Sequence, residues 1–224
     1  MPTAVPAPRR RRRRWLLWSA LLSTVLGLLL LAYGLTAATA RPAWFQPRAI
    51  DHARLPEDKR ALVRLLDDVG RALNEDRPVT VTIDPEQLDR WLAARAELLD
   101  LLAVDLGPVD HPVVLPQVDG RVRVAGEVPW GDMRVVPSAL LRFEFDEEQV
   151  RVFAAEARLG NLRVPASRLL RHVPGYERAA AAFGPNAWVG PNDWIWPNGN
   201  RRFRITGLDI SPARIDVSLE PLPR

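Results

Sequence analysis

The chain has 224 residues, with 31 basic and 27 acidic side chains, 47% hydrophobic residues and no cysteine. The missing cysteines exclude disulfides, thiolate metal sites and a cysteine nucleophile. The basic excess is local to the run Arg9 to Arg14; without it acids outnumber bases, so overall charge gives no argument for a nucleic-acid partner.

From Trp15 to Ala40 there is no charged residue. A hydrocarbon core about 30 Å thick needs about 20 apolar residues as a helix, and a helix satisfies its own backbone hydrogen bonds where lipid cannot. The sequence therefore predicts a cytoplasmic arginine-rich tail over residues 1–14 and a transmembrane signal-anchor helix over 15–40. Arg9, Arg10, Arg11, Arg12, Arg13 and Arg14 set the orientation, because positive flanks stay on the cytoplasmic side. Trp15, Trp18 and Tyr33 stand near the two ends, where amphipathic rings favour the headgroups. The expected protein crosses a bacterial inner membrane once, N-terminus inside, with its remainder in the periplasm or other extracytoplasmic space. A cleaved signal peptide is the competing design, since Ala38-Thr39-Ala40 has the small-x-small form. The apolar run exceeds the roughly 7–15 residues of a secretory core, which favours the uncleaved anchor.

Residues 41–54, with Trp44 and Phe45 between prolines, read as a juxtamembrane connector whose aromatics rest on the membrane surface. One extracytoplasmic domain is expected over 55–224. Its first helix opens at Leu55-Pro56-Glu57-Asp58, with proline and acids in the first turn. Leu62, Leu65, Leu66, Val69, Ala72 and Leu73 follow at helical spacing. Val79 to Ile83 alternates as a strand. Asp84-Pro85-Glu86-Gln87 then starts a second helix, with Asp84 as cap. That helix carries Leu88, Trp91, Leu92, Leu98, Leu99 and Leu102 and ends before Gly107-Pro108, with Arg95 interrupting its stripe.

Strands dominate the remainder. Val122 and Val124, then Leu141, Phe143 and Phe145, alternate with charged residues; Val150 and Val152 do the same until the parity switches at Phe153, which signals a bulge or a strand covered on both faces. Ser167 to Val173 and Tyr176 to Phe183 read as short helices. Gly184 to Asn200 is a loop rich in Pro, Gly and Asn. A hairpin closes the chain, with Phe203 and Ile205 on one arm and Ile215, Val217 and Leu219 on the other. The predicted class is α+β: the transmembrane helix, then a domain with a curved antiparallel sheet packed against two main helices.

The segment Arg77 to Leu92, RPVTVTIDPEQLDRWL, resembles the strand and acid-capped helix of uncharacterised single-anchor bacterial envelope proteins of the YpmS-like kind. RLGNLRVP, from Arg158 to Pro165, and the final hairpin are similar to features of other anchored proteins. The resemblance implies an extracytoplasmic curved sheet against helices and a link to lipid; it carries no catalytic residue.

No catalytic or metal-binding set is legible. His52, His111 and His172 lack ligand spacing, and Ser138, Ser167 and Ser211 lie in no nucleophile elbow. Neither a phosphate loop nor a dinucleotide fingerprint is present. The expectation is a non-enzymatic binding module or scaffold without cofactor, serving a lipid or another envelope protein and no nucleic acid. Phe143 and Phe145 are the ligand-lining candidates, on a sheet face that leaves a cavity for an acyl chain unless the two helices fill it. The alternative is cell-wall glycan recognition by Trp188, Trp194, Trp196 and Asn192, since flat rings beside amides suit sugars.

Overall fold

The structure is a computed structural model that describes residues 9–102, 109–170, 180–181, 184, 186–197 and 201–223; for 9–21, 99–102 and 169–170 it describes the backbone alone. Helix α1 (Arg9–Thr39) leads into α2 (Leu55–Asn74), strand β1 (Val79–Ile83), α3 (Pro85–Ala93) and α4 (Arg95–Leu102). Then come β2 (Asp110–Pro116), β3 (Val122–Trp130), β4 (Met133–Val135), β5 (Pro137–Phe145), β6 (Gln149–Leu159), β7 (Leu162–Val164), α5 (Ala166–Leu170), β8 (Ala187–Pro191), β9 (Trp194–Ile195), β10 (Arg202–Ser211) and β11 (Arg214–Pro221). The fold is α+β with antiparallel strand pairing throughout the described sheets. Within α1, Leu22–Thr39 is long and apolar enough to cross a membrane, a test that a signal sequence also passes.

The single curved sheet read from the sequence is corrected to two sheets among the described residues. A four-stranded sheet has the order β1-β11-β10-β9. A seven-stranded sheet runs β2-β3-β5-β6-β7, with β4 added beside β3 and β8 beside β6. Alternation assigns side chains to faces but does not say which strands are neighbours. Val122, Val124, Leu141 and Phe143 of the large sheet do share a core with Ile215 and Val217, but across an intersheet interface joined by Leu208 and Ile210. A bulge is present on β6, two residues past the parity switch read at Phe153: Leu140 pairs with Glu156 and Leu141 with Ala154, leaving Ala155 as the extra residue.

The small sheet uses one face twice. Its β1 side takes α2, through Val69, Leu73, Val79, Val81 and Leu219, while its β10 side meets the large sheet. The opposite face is polar, with Thr80 beside Ser218 (3.1 Å) and the Thr82 hydroxyl donating to Asp216 (2.7 Å). Arg201, 7% exposed, donates from Nε to the Leu73 carbonyl at the end of α2 (3.0 Å), where a cation meets the negative pole of the helix.

The second expected helix is broken into α3 and α4 at Ala94, which caps α3. Arg95, the residue that interrupted the apolar stripe, donates instead to the Val109 carbonyl and lies 3.6 Å from Asp110. The expected loop from Gly184 to Asn200 contains β8 and β9. The helix expected over Tyr176 to Phe183 lies largely outside the described residues, as do the end of α4 before Gly107 and His172.

The connector aromatics do not reach outward. Phe45 is 2% exposed and packs with Trp44, Val113 and Val136 on the outer face of the large sheet. Arg41 lies over the Phe45 ring and Arg123 over the Trp44 ring, each 5.3 Å from the centroid. Two adjacent aromatics carry no periodicity, so their sequence could not say which surface they would cover.

Candidate binding pocket

The helix α3 is placed by its cap. Asp84 is extended and its side chain accepts from the Glu86 N–H (2.8 Å), with Pro85 in the first turn, so the helix starts at once after β1. One of its faces meets α2. Trp91, 5% exposed, donates its indole N–H to the Asp58 carbonyl (3.2 Å), and Arg90 pairs with the buried Asp58 carboxylate (3.0 Å). Asp89 and Leu92, one turn apart, belong to the side of α3 that packs on β2.

Under Leu92 the described residues leave a space between α3 and the large sheet. A cavity of about 390 Å³, open on one side, is walled by Leu92, Val109, Pro112 to Val114, Val124 to Gly126 and Pro137 to Ala139. That size falls in the range of about 300–1,000 Å³ typical of small-molecule pockets. Among the described residues no charged side chain lines it, and its wall is built from Leu92, valines, prolines and the small residues Ala125, Gly126, Ser138 and Ala139. Two local features shape it. The β2–β3 register shifts between Asp110 and Val113, around His111 at φ +47°, which lifts the start of β2 out of regular pairing. Gly126 faces Val109: a Cβ there would lie 2.3 Å from Val109 Cγ1.

Two polar atoms nearby lack hydrogen-bond partners. Ser138, 3% exposed, has a buried hydroxyl with none, and Asp89 has one buried carboxylate oxygen with none. Burial raises the Asp89 pKa above the ordinary carboxylate value, against the pull of the Val114 backbone and Arg48. Strand alternation puts the Ser138 side chain on the outer face with Leu140, so it contributes to the wall through its backbone.

None of the residues proposed from sequence lines this pocket. Phe143 and Phe145 stack on each other, with centroids 6.4 Å apart and planes 9° apart, further along β5 than the pocket wall. Trp196 is 9% exposed and packs edge-on against Phe203 (5.7 Å) in the core under α2. Asn192 is 1% exposed with its amide committed: Nδ2 donates to the Asp146 and Ile205 carbonyls (2.7 and 2.8 Å), and Oδ1 accepts from the Ile205 N–H (2.8 Å). Trp188 lies half-buried over Gly190, and Trp194 is 40% exposed on the edge strand β9. The side chains of Arg9 to Arg14 lie outside the described residues. The pocket residues escaped the sequence reading because small side chains in strands give no signal of their own. Leu92 read there as part of a helical stripe and Val124 as part of an alternating strand.

Among the described residues, no three His, Asp or Glu side chains stand together as a metal site. Comparison with known proteins finds no matching family model, no similar curated protein and no similar solved structure.

Proposed function

We propose that this chain is a membrane-anchored, extracytoplasmic binding module whose pocket under Leu92 shelters an apolar chain, without chemistry of its own. The observation that carries the reading is the nearly all-apolar cavity of about 390 Å³ between α3 and the ends of β2, β3 and β5. A ligand there gains about 0.8 kcal/mol for each CH₂ it buries, and an acyl chain offers many with no polar group to desolvate.

The junction between α1 and the domain supports an anchor that is retained. The Asn161 N–H donates to the Ala37 carbonyl (2.8 Å), and Ala38 is 4% exposed. Gly160, at φ +57°, brings its Cα so close that a Cβ would lie 2.5–2.7 Å from the carbonyl oxygens of Ala37, Ala38 and Ala40. The small-x-small segment is thus part of the packed domain surface, whereas a cleavage site is an exposed, extended one. Above it, Leu28 to Leu31 and Tyr33 are 60–70% exposed, as a lipid-facing helix would be.

Native mass spectrometry of the full chain, released from detergent, should show one fatty acid or lipid retained per chain. Filling the cavity by Ala139→Leu should cut that occupancy several-fold with the fold intact. A wild-type chain that releases bare, or a variant that keeps its adduct, contradicts the pocket. For orientation, a reporter active only outside the cytoplasm, fused after Arg224, should be active; activity of a cytoplasmic reporter there contradicts the proposed topology.

A further inference from the structure

The end of the large sheet that receives α1 also sends out a hairpin. There β5 begins and β6 ends, with Pro137 opposite Leu159, and the Gly160 N–H donates to the Val136 carbonyl (2.9 Å). The chain climbs toward that end as it is followed back from Phe45: Trp44 sits at Arg123, Arg41 pairs with Glu127 (3.0 Å), and Ala37 meets Asn161. Strand β3 continues past the same end beyond Ala125, its last partner in this direction on β5. After Glu127, which still pairs with Asp110 of β2, it pairs with β4, Val128 with Val135 and Trp130 with Met133, around the turn Gly131-Asp132 with Gly131 at φ +59°. Strand β4 packs against α1. Two elements therefore leave the sheet together, the apolar helix and a short hairpin alongside it.

The hairpin tip carries two large apolar side chains that the described residues leave about half exposed. Trp130 is 46% and Met133 48% exposed, and as direct cross-strand partners they lie on one face. From Val135 to Met133 the strand advances about 7 Å, the rise of four to five helical residues, so a tip beside α1 reaches the level of Tyr33. That is the level at which an anchored helix presents its outer aromatic to the headgroups.

We infer that the β3–β4 hairpin is a second membrane contact, Trp130 and Met133 entering the headgroup region of the bilayer beside α1. The inference rests on the anchored reading of α1. An indole ring suits that region, being apolar in its body and polar at its N–H, and Asp132 in the turn holds the insertion shallow. With the span fixed at one point and the hairpin at a second, the domain keeps one face toward the membrane, where a single helix would leave it free to swivel.

The native chain has no cysteine, so single labels are unambiguous. Met133→Cys, Val118→Cys and Leu26→Cys in the full chain would carry a nitroxide, each reconstituted in phosphatidylcholine–phosphatidylglycerol vesicles. Val118 is 90% exposed on the β2–β3 turn at the other end of β3. The label at 133 should be shielded several-fold from a water-soluble paramagnetic quencher relative to 118, and opened to oxygen. Equal quenching at 133 and 118, with 26 shielded, overturns the hairpin contact alone and leaves the tip for a protein partner. Quenching at 26 as strong as at 118 overturns the anchored reading and this inference with it. Trp130→Ala should raise quenching of the label at 133 toward that at 118; a label unmoved by that change counts against the tryptophan as the inserted group.

Discussion

Glu156 stands among three arginines. Its Oε1 accepts from Arg158 Nε (2.7 Å) and Arg123 (3.1 Å), and its Oε2 accepts from Arg163 (2.9 Å). The hydrogen bonds from Arg158, then those from Arg163 and Arg123, pull its pKa down from 4.5 to about 2, against the cost of burial. The sign follows. A carboxyl with a depressed folded pKa stabilises the protein fully above its unfolded value, and that contribution is lost as pH falls from about 4.5 toward 2. Glu156→Gln should therefore lower stability at neutral pH and flatten the acid limb in that window. Urea melts of both chains between pH 2 and 7 check this; parallel curves over the whole range contradict it. Other residues show what the sequence could say. Trp91 is buried where helical spacing put it, because an apolar stripe needs only a neighbour to cover it. Asn192 is a structural clasp between the turn at Asp146 and β10, and nothing local distinguishes such an amide from one offered to a ligand.

At the scale of elements, the junction of α1 with the β6–β7 turn has a sharp requirement at Gly160. Its positive φ costs any L side chain about 1–2 kcal/mol, and a Cβ would meet three backbone carbonyls that cannot rotate away. Gly160→Ala should lower the melting temperature of the full chain and make the Ala38–Ala40 segment more susceptible to protease. An unchanged melting temperature would show that α1 is not held by this turn. Helix α2, the start of α3, β1 and the closing hairpin were legible because each has a period or a turn of its own; the break at Ala94 and the place of the bulge on β6 were not. The pairing of β1 with β11 was not, since it joins Val79 to Leu219 across most of the chain. Strands β8 and β9 were hidden in a segment of Pro, Gly and Asn, where edge pairing to β6 and β10 outweighs weak propensity.

For the whole molecule, the two-sheet arrangement explains why a pocket lies where it does. The small sheet covers the inner face of the large one at its Phe143 end, through Leu208 and Ile210. Helix α3 covers part of the other end, and between Leu92 and the valines of β2 and β3 neither element fills the space. That end is also the one joined to α1, so an apolar ligand leaving a bilayer would have a short way to travel. The sequence left open whether the core holds a cavity and placed one, if present, at Phe143 and Phe145; the pocket lies instead at the other end of β5, where its wall depends on how α3 meets β2. The most direct measurement is photo-crosslinking of the full chain in vesicles with a fatty acid carrying a diazirine on its chain, followed by peptide mapping. The account predicts crosslinks on Leu92, on Val109 and Pro112 to Val114, on Val124 to Gly126 and on Pro137 to Ala139, lost in Ala139→Leu, while those on α1 and on the β3–β4 hairpin tip persist. Crosslinks confined to α1 in the wild-type chain would contradict the pocket as a binding site.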